Sequence, residues 1–164
     1  MTSGRRKRKQ YYASFAAVLL LALPAGLTVC GAAVTERIVV DWYSGLAIGG
    51  YDPVAYFTNG KAMSGGADFE LSYAGVMWRF CNIGNREAFA ARPDVYMPQF
   101  GGYDPLGVTR GVAVAGKPNV WLITADRLFL FYDQAWREQF AADSDRLIAE
   151  AKRKWPSVQG TLSP

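Results

Sequence analysis

The chain has no histidine among its 164 residues. That absence removes Ser-His-Asp and Cys-His nucleophilic constellations and a haem held by an imidazole, while Met, Tyr or Cys ligation of haem stays open. Cysteine is nearly as scarce, with Cys30 and Cys81 alone. A zinc site takes about four Cys, His or carboxylate ligands, and one or two thiols with scattered carboxylates do not supply them. There is neither a Gly-rich phosphate loop ending in Lys-Ser/Thr nor a dinucleotide glycine fingerprint. Ser64-Gly65-Gly66 stands alone as a flexible turn. No catalytic set, metal or cofactor is expected.

Charge is also missing, from residue 11 through residue 34. Arg5, Arg6, Lys7, Arg8 and Lys9 precede this run, and a basic start before an apolar stretch is the pattern of an export signal or an N-terminal membrane anchor. The run is long enough to span a bilayer, which takes about 20 apolar residues. A cleavable signal core is shorter, about 7–15 residues, but Pro24 and Gly26 break the run late and Gly31, Ala32 and Ala33 offer a cleavage site. Residues 1–34 therefore read as a signal peptide or a retained anchor, with the basic end in the cytoplasm and the rest of the chain outside it. If the leader is cut, only Cys81 remains and no internal disulfide can form. Leu27-Thr28-Val29-Cys30 hints at a lipidated cysteine, although Val29 stands where such signals want a small residue. The leader holds five of the 18 basic residues, which leaves 13 against 14 acidic ones and a net charge of −1. The basic balance of the whole chain thus gives no sign of nucleic-acid binding.

What is present suits one α+β domain. Residues 35–48 read as a linker with a possible first strand at Ile38, Val39 and Val40. Residues 69–73 alternate apolar and polar, Ala74-Gly75 turns, and residues 76–81 return, giving a hairpin. Asn82 is a good cap for a short helix over 83–91 that Pro93 closes, with Phe89 and Ala90 facing the hairpin. Residues 119–124 and 128–132 form a second hairpin turning at 125–127. Asp133 caps a terminal amphipathic helix whose Trp136, Phe140, Leu147, Ile148, Ala151 and Trp155 fall at helical spacing. Asp143 splits that helix and Pro156 ends it. The expected architecture is two antiparallel hairpins with a short central helix and a C-terminal helix packed on one side. Residues 159–164 form a tail.

Gly-Gly-Tyr-Asp-Pro occurs at 49–53 and again at 101–105. Glycine frees the backbone, Asp bonds back to following amides, and Pro fixes the next φ. The two copies do not extend into a longer match, so no duplication is expected. If the two turns meet in space, Asp52 and Asp104 converge with Tyr51 and Tyr103, and paired carboxylates can do acid–base work or hold a hard cation. The alternative is that each Asp caps its own turn. Cys81 ends an apolar strand, either as a buried inert thiol or as a reactive one with Arg79 on its face of the strand lowering its pKa. Tyr56, beside the first turn, completes the candidate ligand-binding set of Tyr51, Asp52, Tyr56, Arg79, Cys81, Tyr103 and Asp104.

The order Gly50-Tyr51-Asp52-Pro53-Val54-Ala55-Tyr56-Phe57, Gly60-Lys61, Trp78-Arg79-Phe80, Asn85-Arg86-Glu87-Ala88-Phe89, Pro93, Tyr96 and Pro98-Gln99-Phe100-Gly101-Gly102-Tyr103 resembles the YHS domain family, in the form found in small exported bacterial proteins. The resemblance covers residues 49–158 and implies a small α+β module of the kind often found beside metal-handling proteins. Metal-binding members carry cysteines where this chain has Ala55, Asn85 and Asp104, so the resemblance implies a ligand shell largely lost. The expected function is a non-catalytic, membrane-associated binding or accessory module in the periplasm or anchored outside the cytoplasm. Its small-molecule ligand is unspecified and its partner is an envelope protein. Two alternatives are a copper-handling protein using Cys81 with Met63, Met77 or Met97, and a thiol-dependent enzyme.

Overall fold

An alternating strand, a two-residue turn and a returning strand occur twice. The computed structural model describes Met1 and residues 36–163, so the expectations for the leader and for Cys30 lie outside the described residues. The chain divides into two units, Met1–Gly31 and Ala32–Pro164, and everything below concerns the second. In it, β1 (Gly66–Tyr73) pairs antiparallel with β2 (Val76–Phe80), and β3 (Lys117–Thr124) with β4 (Arg127–Phe131). Ala74-Gly75 and Ala125-Asp126 all sit at positive φ, the primed turn geometry that follows the right-handed twist of the strands.

The surroundings of the two hairpins repeat as well. Each register is broken at the same place, between Gly66 and Glu70 in β1 and between Lys117 and Trp121 in β3. Each hairpin runs into a capped helix. The Asn82 side chain accepts from the Asn85 amide to start α2 (Ile83–Ala91), and Asp133 accepts from the Trp136 amide to start α5 (Gln134–Ala141). Each hairpin is preceded by a 3₁₀ turn and a short helix: Ile48–Gly50 with α1 (Ala55–Thr58), and Gln99–Gly102 with α4 (Pro105–Thr109). The fold is therefore a structural repeat, joined by α3 (Pro93–Tyr96) and extended by α6 (Ser144–Gln159). This corrects the expectation of no duplication. The copies drift by one residue between the Asp-Pro turn and the hairpin, so Asp52 matches Asp104 but Gly65 matches Gly116, and a fixed-offset comparison from the pentapeptide loses the match. Beyond that drift Arg86-Glu87, Phe89, Ala90 and Ala91 align with Arg137-Glu138, Phe140, Ala141 and Ala142.

The second hairpin forms the middle layer. Leu128 and Leu130 point into a core with Tyr56, Trp78, Phe80 and Phe89, while Phe129 and Phe131 point into a second core with Phe140, Leu147 and Ala151. Helices therefore cover both faces of this hairpin, α1 on one and α5 on the other, instead of lying on one side as expected. Within each copy one Phe of the capped helix packs on rings of its own hairpin: Phe89 on Tyr73, Trp78 and Phe80, and Phe140 on Phe129 and Phe131. Ala90 is exposed and Ala88 packs inward, because the inward row of α2 runs through residues 85 and 89, leaving 90 a further 100° round.

Two other boundaries shift. Residues 38–40 form a single bridge, Val40 to Ala47. Val39 is wedged between the two glycine turns, donating to Gly101 and accepting from Ile48. Pro156 does not end α6, which runs on to Gln159. The proline costs one backbone bond, but Val158 beyond it is buried, and that burial holds the last turn in place. The tail is pinned too, with Ser163 and Glu36 exchanging two hydrogen bonds.

Candidate functional site

The backbone of the first glycine turn delivers Asp52 into the interior, where it is fully buried. One carboxylate oxygen accepts from the Val54 and Ala55 amides at 2.8 and 3.3 Å. The other accepts from the Cys81 amide at 2.8 Å and the Asn85 side chain at 2.6 Å. Asp52 thus caps its own short helix and clips the end of β2 to the start of α2. Asp104, also fully buried, repeats the pattern with the Leu106 amide at 2.8 Å and the Tyr132 amide at 2.7 Å. Burial holds the Asp104 carboxyl above the usual carboxylate range, against the lowering effect of its backbone donors.

The glycine turns themselves are neighbours, since a Cβ on Gly102 would meet the Ile48 side chain at 3.4 Å. The carboxylates do not share a site: Asp52 faces Cys81 in the first copy, and Asp104 faces Tyr132, the counterpart of Cys81, in the second. The phenols are engaged separately. Tyr51 accepts from the Asn119 amide group at 3.1 Å, Tyr56 donates to the Pro118 carbonyl at 2.9 Å, and Tyr103 donates to the Glu36 carbonyl at 2.6 Å. Burial raises the pKa of Tyr56, as do its neighbours Tyr51 and Asp52, and burial followed by Glu36 raises that of Tyr103.

Cys81 is partly buried and its thiol donates to the Ser64 carbonyl at 3.5 Å. Burial first, and then its hydrogen bond and proximity to Asp52, push its pKa up to about 11. Arg79 does not reverse this, because its guanidinium is paired with Glu70 at 2.8 Å. The expectation that Arg79 lowers the thiol pKa is therefore corrected: burial, with Asp52 acting in the same direction, raises it, and the arginine is paired across the hairpin.

The methionines do not gather around the thiol as a group. Met97 lines a cavity together with Ala74 and Gly75, which sit at the opposite end of β2 from Cys81, and a five-residue strand spans about 17 Å. Met63 is nearer, its carbonyl accepting from the Asp52 amide. Among the described residues no group of three or more Cys, Asp or Glu is placed to hold a metal ion.

Sequence reasoning missed a cavity of about 660 Å³ lined by residues from the 74–75 turn, α3, the second glycine turn and the end of α6. Its aromatic wall is Phe100 edge-on to Trp155, ring centroids 5.6 Å apart. The helical stripe gave Trp155 as core, and nothing in the sequence brought the end of α6 and α3 to one cavity.

No protein-family model, curated protein or solved structure matches the chain.

Proposed function

We propose that the chain is a non-catalytic binding or accessory module of the YHS type, membrane-associated and outside the cytoplasm. The observation that carries the reading is the commitment of the candidate polar cluster to the fold. Both buried aspartates accept from backbone amides of the fold, the arginine is paired, and the thiol pKa is raised. A nucleophile needs a nearby base or a lowered pKa, and here the one thiol has the opposite. Among the described residues no helix is long and apolar enough to cross a membrane. Membrane association gains support from Trp42 and Tyr43, which are 88% and 85% exposed and pack edge-on against each other soon after the leader. Exposed Trp and Tyr of this kind suit the water–lipid interface.

Alkylation of Cys81 tests the absence of thiol chemistry. A pKa raised from 9.0 to about 11 lowers the thiolate fraction at pH 8 about a hundredfold. With iodoacetamide and the full chain, read on the Cys81 peptide by mass, modification should run well over tenfold slower than for an unstructured cysteine peptide. A rate equal to or above the peptide's would restore the thiol-enzyme reading.

A further inference from the structure

The structural repeat separates architecture from what is particular. Buried aspartates, glycine turns, bulged hairpins and capped helices occur in both copies and are accounted for by the fold. The 660 Å³ cavity does not. It forms where unduplicated parts (the segment at Arg37 and Ile38, the linking helix α3 and the end of α6) meet the first hairpin turn and the second glycine turn. Its walls mix apolar side chains, Met97, Phe100 and Trp155 among them, with polar ones.

Two side-chain amides line this cavity, Gln99 and Gln159, and among the described residues neither has a hydrogen-bond partner. Gln99 is informative because its counterpart in the first copy is Ala47, which is fully buried. The second copy puts an amide where the first needs only a methyl group. The charges on the wall balance, with one cation (Arg37) and one anion (Asp94), so the cavity does not select an ion by net charge. A concave apolar space of this size with a few polar groups is the usual form of a small-molecule site.

We propose that this cavity binds a neutral, flat, ring-bearing small molecule carrying a carbonyl group, the ring against Phe100 and Trp155 and the carbonyl accepting from Gln99 and Gln159. The assignment rests on the reading of the chain as a binding module and supplies its ligand class. Each unspent amide offers donors to the carbonyl oxygen, and the aromatic wall offers edge and face contacts to the ring.

The test uses the full chain in matched detergent and the neutral naphthyl ketone 6-propionyl-2-dimethylaminonaphthalene as probe, read by energy transfer from tryptophan. The expected result is saturable binding that weakens about tenfold in the Gln99→Leu/Gln159→Leu double variant, the loss of two neutral hydrogen bonds. Binding of 2-ethylnaphthalene, which lacks the carbonyl, should be unchanged or tighter in the same variant. Far-UV circular dichroism of the variant confirms that it is folded, and Gln99→Ala, which restores the residue of the first copy, serves if it is not. Absence of saturable ketone binding, equal ketone affinity in wild type and variant, or tighter binding of anionic 1-anilinonaphthalene-8-sulfonate than of the ketone would overturn the proposal. These outcomes leave the thiol measurement untouched, so the ligand class and the non-catalytic reading fail separately.

Discussion

Asp52→Ala is expected to destabilise the protein by about 3–5 kcal/mol, and Asp104→Ala by about 2–4 kcal/mol. The reason is the set of donors each carboxylate leaves behind. Without Asp52 the amides of Val54, Ala55 and Cys81 lose their acceptor. Each buried donor left unmade costs about 1–3 kcal/mol. The Asn85 side chain is partly exposed and can turn to water. Asp104 leaves two amides, those of Leu106 and Tyr132. Its loss is smaller for a second reason: burial holds that carboxyl above its usual range, so removing it also relieves a charge that the interior disfavours. Urea unfolding followed by circular dichroism measures both. A cost below about 1 kcal/mol at either position would mean the carboxylate is not a structural clamp there.

Gly65→Ala and Gly116→Ala should each cost about 2–4 kcal/mol, while Gly66→Ala should cost almost nothing. Gly65 and Gly116 occupy the same place in the two copies, where the chain enters the hairpin against the end of the returning strand. A Cβ at Gly65 would sit 2.5 Å from the Phe80 amide nitrogen, and one at Gly116 would sit 2.6 Å from Leu130 Cβ and 2.7 Å from the Gly102 carbonyl oxygen. Neither glycine lies at positive φ, so the cost is contact alone. The Phe80 and Gly102 atoms in the way are backbone and cannot turn aside. Gly66 has nothing within 4 Å of its would-be Cβ. In thermal melts the two costly variants should fall roughly 10 °C below wild type and Gly66→Ala should overlay it. Three equal melting points would contradict the close approach.

Local structure was legible wherever short-range rules decide it. Asn82 and Asp133 announced their helices, Ala74-Gly75 announced the first hairpin turn, and alternation over residues 69–73 announced the strand before it. That each Asp caps its own turn was legible as one of two alternatives, but the reach of Asp52 to the Cys81 amide was not, because it joins residues far apart in the chain. Long-range packing was not legible. Both faces of β4 are buried, which erases the alternation that would show which layer it occupies. The repeat hid behind a one-residue drift and behind substitutions such as Cys81 for Tyr132 and Asn85 for Trp136, which keep the backbone path and change the chemistry. The cavity at α3 and α6 was out of reach because residues distant in the chain build it, and no local pattern marks such a meeting.

Native-state amide hydrogen exchange at Cys81 and Tyr132 tests the claim that each twin aspartate clamps the end of its own hairpin. Both amides end a strand, where fraying is normal, and each is held by one buried carboxylate oxygen. Both should exchange only through global unfolding, as slowly as amides in the middle of the strands. Exchange at either amide as fast as at the exposed Ala125-Asp126 turn would contradict that account.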